Sequence, residues 1–408
     1  MRAITESDDY LLAGAAFTAL NLLNMLLWAA GWHLPVWAWA ALLVLCLGRA
    51  LQRWQLNGLI AIGFLLICVV IPLLYPATGW DTRSIWLFHA KRIFLDGSLY
   101  AQLDNYAPYT HNEYPVIVPA IAASLARAMG RWNEIVPRAS VAIALAPPLF
   151  FAAYLFRSMA AYCLWLSLML LVCAENLLSG YMDSLVAIHF ALALVAAAEI
   201  YRRGADRTAP LPAGHALVIA GCLLHLLFLK NEGAVMAALL VVALLPAFVR
   251  RPRLALYAVL PWLVFALVWK LPVSHANITS DLLRNGSLLE RGLRRLQSYD
   301  EVGLILHFFR FLSQEYFAVL ALLLVVVALR WRRLWFAVPS LLALMAYVGV
   351  LFTVFLTTYF ELKWHLETAA DRVLMAFDLS AVTLLLYLLV LGLERLPPGW
   401  RPVTESGR

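Results

Sequence analysis

"PVIVPAIAASLARAM", residues Pro115 to Met129, is the run on which the topology of this chain turns. It is apolar but short, with Pro119 inside it and Arg127 near its end. A helix needs ~20 apolar residues to cross ~30 Å of hydrocarbon. Read as a span, the run reverses everything downstream and sends Arg202, Arg203 and Arg207 to the outer face. Read as an amphipathic helix lying in the interface, it keeps those arginines cytoplasmic and sets Arg127, Arg131 and Arg138 near the outer headgroups. The second reading is the one adopted.

The rest of the chain follows from that choice. With 64% hydrophobic and 13% charged residues and a mean hydropathy of +0.82, the chain lies outside the soluble globular class. It reads as an all-α polytopic membrane protein with about twelve spans, near 10–30, 34–48, 57–75, 139–156, 159–174, 184–201, 214–229, 231–249, 254–271, 303–329, 334–358 and 373–393. The joints Arg49/Arg53, Arg202/Arg203/Arg207, Arg250/Arg251/Arg253 and Arg330/Arg332/Arg333 then all face the cytoplasm, as do both termini. One membrane-embedded domain, 1–408, is expected. Residues 76–137 form a long external loop carrying interfacial helices, and 272–302 a second external loop. The amino end "MRAITESDDY" is polar and the apolar run after it is long enough to remain a span, so no cleaved leader is expected. The five cysteines lie inside apolar runs without metal or redox spacing and read as small buried hydrophobes. The formal charge of +7 comes with arginines at span ends, where they set orientation, and no nucleic-acid partner is expected. The short loops and the lack of a disulfide pattern fit a bacterial inner membrane.

Polar breaks gather on the outer face. Asp81 follows Gly79-Trp80 just after a span, and His111 and Glu113 lie in "HNEYP" at the far end of the same loop. Two carboxylates and a histidine there either provide a general base for a hydroxyl acceptor or are solvated loop charges. Between them "IWLFHAKRIF" sets Trp86 and its apolar neighbours to one side and Lys91/Arg92 to another, a pattern for an interfacial helix with Trp86 at headgroup depth. Lys230, in "FLKNEGAV", sits between two apolar runs, where an ionisable group is costly and marks a site by default. It either binds a phosphate as a point charge, snorkels, or pairs with Glu232. Arg372 could supply a second such charge or pair only with Asp371 or Glu367. Asp183, in "GYMD" with Tyr181, is either a first-turn acid favoured by the helix dipole or part of the chemistry. His365, beside Trp364, is a candidate for substrate contact, whereas His189 and His225 read as packed core histidines. No zinc-type spacing, Walker loop or nucleophile elbow is present, although two carboxylates could hold a divalent cation.

The order of these motifs, from "GWD" at Gly79 to "DR" at Asp371, resembles the C-type glycosyltransferase superfamily (GT-C). The likeness is to bacterial relatives of protein O-mannosyltransferases and of the lipid A aminoarabinose transferase. It implies an inverting enzyme that moves a sugar from a polyprenyl-phosphate donor to a hydroxyl of a glycan, lipid or protein acceptor. Residue by residue, it matches the opening loop acid to Asp81, the acid before a proline-bearing helix to Glu113 and the acid opening a span to Asp183. The lysine followed by glycine matches Lys230, and the basic residue of the last span Arg372. Three spans instead of one precede the loop, Thr82 stands where a second acid is usual, and no large carboxy-terminal soluble domain follows. Two other classes stand beside it. One is a transporter or flippase for a lipid-linked sugar, which charges deep in spans and discontinuous helices would favour. The other is a non-catalytic subunit that binds lipid phosphate.

Overall fold

A computed structural model of the chain describes residues 6–103, 106–204, 212–278 and 287–394. The apolar runs become helices α1 (Glu6–Ala29), α2 (Trp37–Gln52), α3 (Leu56–Leu74), α4 (Leu87–Asp96), α5 (Ile117–Ala128), α6 (Ser140–Leu155), α7 (Met159–Ser179), α8 (Met182–Gly204) and α9 (Ala213–Leu229). There follow α10 (Asn231–Arg250), α11 (Ala255–Phe265), α12 (Leu271–His275), α13 (Leu288–Leu296), α14 (Tyr299–Leu329), α15 (Trp331–Leu334), α16 (Val338–Thr357) and α17 (Leu362–Glu394). The described residues contain no strand. Among the described residues, ten helical segments are long and apolar enough to cross a membrane, so this is a polytopic membrane protein. The runs at 34–48 and 214–229 form α2 and α9, which have 16 and 17 residues and fall short of that length.

Helix α8 is the axis of the bundle. Its run "LVAIHFALALVAAA" is apolar all round and rich in alanine, so neighbours can approach closely on every side. Residues Met182–Tyr201 are all buried, packed by α17, α9, α7, α10, α16 and α6. At one end of the bundle two buried acids collect the arginines of the short joints. Asp9 binds Arg49 and Arg53. Glu199 accepts from Arg202, Arg203 and the Tyr387 hydroxyl. The candidate site lies at the opposite end.

The deciding run departs from expectation. Helix α5 does not lie on the surface: residues Ile117–Ala126 are all buried, against α1, α4, α6 and α9. Its alanines present too little large apolar surface to anchor an interfacial helix but allow tight packing on all sides. Ser124 ties it to α1 by accepting from Trp28 Nε1 at 2.8 Å and donating to Asn24 Oδ1 at 2.7 Å. Its 12 residues cover roughly 18 Å, too little to cross unaided. Helix α4 is corrected likewise. Trp86 is buried within the protein, and Arg92 parts from the exposed Lys91 to bond inward. Its guanidinium donates to the carbonyls of Leu99 and Ala101, and burial pulls its pKa down to about 10. Of the second loop, residues 279–286 lie outside the described set; α13 is held by Arg295, which donates to the carbonyls of Phe355, Thr358 and Phe360 at the end of α16.

Candidate functional site

Three separate breaks in the helical ladder and one continuous helix meet at the site end. The first follows α3: Asp81 immediately precedes a π-helical turn, Thr82–Trp86, a form of backbone found disproportionately at functional sites. Thr82 Oγ1 donates to the carbonyl of Ser179 at 2.7 Å and fastens this turn to the end of α7. The second is the α7–α8 joint, where Gly180 takes φ +89° and turns the chain so that Tyr181 and Asp183 face the first break. A Cβ at Gly180 would stand 3.0 Å from Thr82 Cγ2. The third is Lys230, a single extended residue between α9 and α10. Gly233 permits this tight reversal, since a Cβ there would fall 2.0 Å from the Leu226 carbonyl oxygen. The continuous helix is α17, whose first half carries Arg372.

These elements bring five charges into one chain of contacts. Arg372 Nη1 lies 2.5 Å from Asp81 Oδ2 and 4.0 Å from Asp183 Oδ2. Lys230 Nζ lies 2.8 Å from Asp183 Oδ1 and 3.2 Å from Glu232 Oε1. Arg372 Nε and Nη2 both donate to the Thr368 carbonyl, which fixes the guanidinium and leaves Nη1 for the acids. The Arg372 guanidinium also sits over the Tyr181 ring at 5.0 Å, and the Lys230 ammonium over Tyr114 at 6.0 Å. Burial disfavours the Lys230 ammonium, but Asp183 and then Glu232 outweigh it and hold its pKa above the ordinary 10.5. The Tyr181 phenol is pushed up by burial and by the Asp81 carboxylate. Three acceptor oxygens around Lys230, namely Asp183 Oδ2, Asn231 Oδ1 and Glu232 Oε2, are buried and receive no hydrogen bond among the described residues. Such atoms call for donors from a ligand or solvent.

Asp81, Tyr181, Asp183, Lys230, Glu232 and Arg372 are thus brought together. Arg372 pairs with neither Asp371 nor Glu367 but with acids from two other segments. Trp80, beside Asp81, is largely exposed. His111 joins through aromatic contact: it stacks on Tyr114 at 4.6 Å, and Tyr114 on Trp86 at 5.7 Å. His365 lies two turns along α17 in a pocket of Phe355 and Phe360, within electrostatic reach of Arg372 and Lys230. Glu113 is buried, its backbone carbonyl accepts from Trp269 Nε1 at 3.0 Å, and its charge acts on Lys270. This clasps the loop onto a second π-helical turn, Ala266–Lys270, whose Val268 carbonyl also accepts from the Tyr100 hydroxyl. Among the described residues no group of three or more Asp, Glu, His or Cys is arranged to hold a metal ion. His189 and His225 stack on each other at 4.6 Å, fully buried.

Two residues were not singled out from sequence. Tyr114 gives no signal in one dimension, since tyrosine is common at membrane interfaces. Asp378 gives a clear one: it is a lone acid inside the apolar run "VLMAFDLSAVTLL" of α17. No known protein family, characterised protein or solved structure matches the chain.

Proposed function

We propose that this protein is an inverting glycosyltransferase of the GT-C type, moving a sugar from a polyprenyl-phosphate donor to a hydroxyl acceptor. The observation that carries this reading is the chain Asp81–Arg372–Asp183–Lys230–Glu232 at one end of a membrane bundle. It sets a carboxylate beside two fixed cations, with unsatisfied acceptor oxygens next to them. Asp81 serves as the base, taking the acceptor proton as that oxygen attacks the anomeric carbon. The bond from that carbon to the phosphate oxygen breaks, and the phosphate carries the departing charge to Lys230 and Arg372. Sugar hydroxyls supply the donors that Asp183, Asn231 and Glu232 lack. Glu113 holds the loop rather than joining the chemistry. A narrow, mainly apolar gap among Thr82, Trp86, Pro119, Ala122, Gly180 and Met182 adjoins the cluster.

In this reading the arginine joints lie in the cytoplasm and the site on the outer face of a bacterial inner membrane. Helices α2 and α9 complete twelve spans with help from local thinning of the bilayer. The termini, placed inside by span parity, lie outside the described residues. The test is transfer of labelled sugar from polyprenyl-phosphate donors to membrane extracts by wild type, Asp81→Asn and Lys230→Ala. Transfer by the wild type that both substitutions abolish supports the enzyme. No release of sugar from any donor refutes it. A transporter of lipid-linked sugar is the second reading, favoured by a carboxyl inside α17 facing an interruption of α14. Labelled lipid crossing reconstituted vesicles without transfer would select it.

A further inference from the structure

Helix α14 is broken at Ser313, where the exposed Arg310, Gln314 and Glu315 flank the break. Ser313, fully buried, takes φ −131° and ψ 25°, well outside helical values, although no proline or glycine is near it. Directly across, α17 carries Asp378, 8% exposed and one and a half turns, roughly 9 Å, beyond Arg372. The Ser313 hydroxyl faces that carboxyl. Neither the hydroxyl nor Asp378 Oδ1 completes a hydrogen bond among the described residues. Among the described residues, Glu315 and Tyr316 on α14, Cys173 on α7 and Tyr347 on α16 lie within electrostatic reach of Asp378, and none of these four is a cation.

A carboxylate inside a span is costly unless something neutralises it. Those four side chains do not, and the backbone beside it leaves helical geometry at Ser313. A carboxylate, a hydroxyl and carbonyls at a broken helix are the hard oxygen ligands of an alkali cation. We propose that Asp378 and Ser313 form the core of a sodium-binding site at the break in α14. The bound ion ties α14 to α17 across the kink and neutralises Asp378. The site is independent of the charge chain at Asp81 and of the reaction assigned to it.

The experiment follows the thermal unfolding midpoint of the purified full chain in detergent, at mildly alkaline pH, as sodium replaces choline at constant ionic strength. Retention of radiosodium by the same samples is measured in parallel. The expected result is saturable binding with a midpoint rise of about 2 °C or more. Asp378→Asn abolishes both the rise and the retention while matching or exceeding the wild type in choline, because it removes an uncompensated charge. Ser313→Ala moves the half-effect concentration upward, and Asp81→Asn leaves it unchanged. A midpoint insensitive to sodium, or an equal rise in Asp378→Asn, overturns the proposal. Stabilisation by acid with sodium inert also overturns it and makes Asp378 a protonated acid.

Discussion

Replacing Lys230 by methionine tests the centre of the site. The Lys230 and Asp183 side chains are 7% and 4% exposed and meet at 2.8 Å. Without the ammonium, Asp183 keeps only Arg372, at 4.0 Å and already engaged with Asp81. Removing one partner of a buried pair costs about 3–5 kcal/mol, because the other charge is left in a poor solvent. The half-exposed contact to Glu232 adds little. Methionine preserves the bulk of the stem, so most of the loss is electrostatic. Adding Asp183→Asn to Lys230→Met removes the stranded charge and should recover most of the stability, giving a coupling of about 2–3 kcal/mol. Reversible unfolding in mixed micelles, titrated with denaturant, measures all four corners of this cycle. Binding of polyprenyl phosphate to the same four proteins separates the roles: both singles and the double should lose it, although only the double regains stability. A cost below about 1 kcal/mol for Lys230→Met would refute the desolvated pair and with it the geometry of the α8, α9 and α10 ends.

Three further outcomes are expected. Asp81→Asn should lower sugar transfer to background while the unfolding midpoint stays within a degree or two of wild type; substantial residual turnover would remove Asp81 as the base. Gly233→Ala cannot keep the α9–α10 reversal, since its methyl would meet the Leu226 carbonyl at 2.0 Å, and a loss of more than about 3 kcal/mol is expected from the forced shift. A protein as stable as wild type would show that the reversal is wrongly placed. His89 is buried in α4, its Nε2 donating to the Thr110 carbonyl, and burial lowers its pKa from 6.5 to about 3. Its neutral burial is fully favourable above pH 6.5, and stability falls as the pH drops towards 3, because only the unfolded chain takes up the proton. The loss is roughly 5 kcal/mol at most, and His89→Gln should flatten the midpoint's pH dependence in that window. An unchanged slope would show that His89 is open to solvent.

The amino-acid sequence by itself determined the membrane class, the location of the long apolar helices and the polar breaks between them. These follow from hydropathy summed over bilayer length and from arginine placement, both properties of contiguous residues. It also marked Asp81, Asp183, Lys230 and Arg372, because an ionisable group beside hydrocarbon is conspicuous wherever it pairs. Only the tertiary structure decided the pairing. Asp81 and Arg372 meet across 291 positions, and which acid Arg372 takes depends on how α17 packs against the end of α7 and α8. The same holds for Glu113, which the fold of the loop brings to Trp269 and Lys270. Arg92 and α5 were misplaced for one common reason. Amphipathic pattern reports what a helix would do at a flat interface, but a buried arginine can be satisfied by carbonyls and an alanine-rich helix can be enclosed by its neighbours. Asp378 was visible as a lone acid in an apolar run; that it faces a broken turn of α14 was settled by packing, since the break at Ser313 leaves no proline or glycine to announce it.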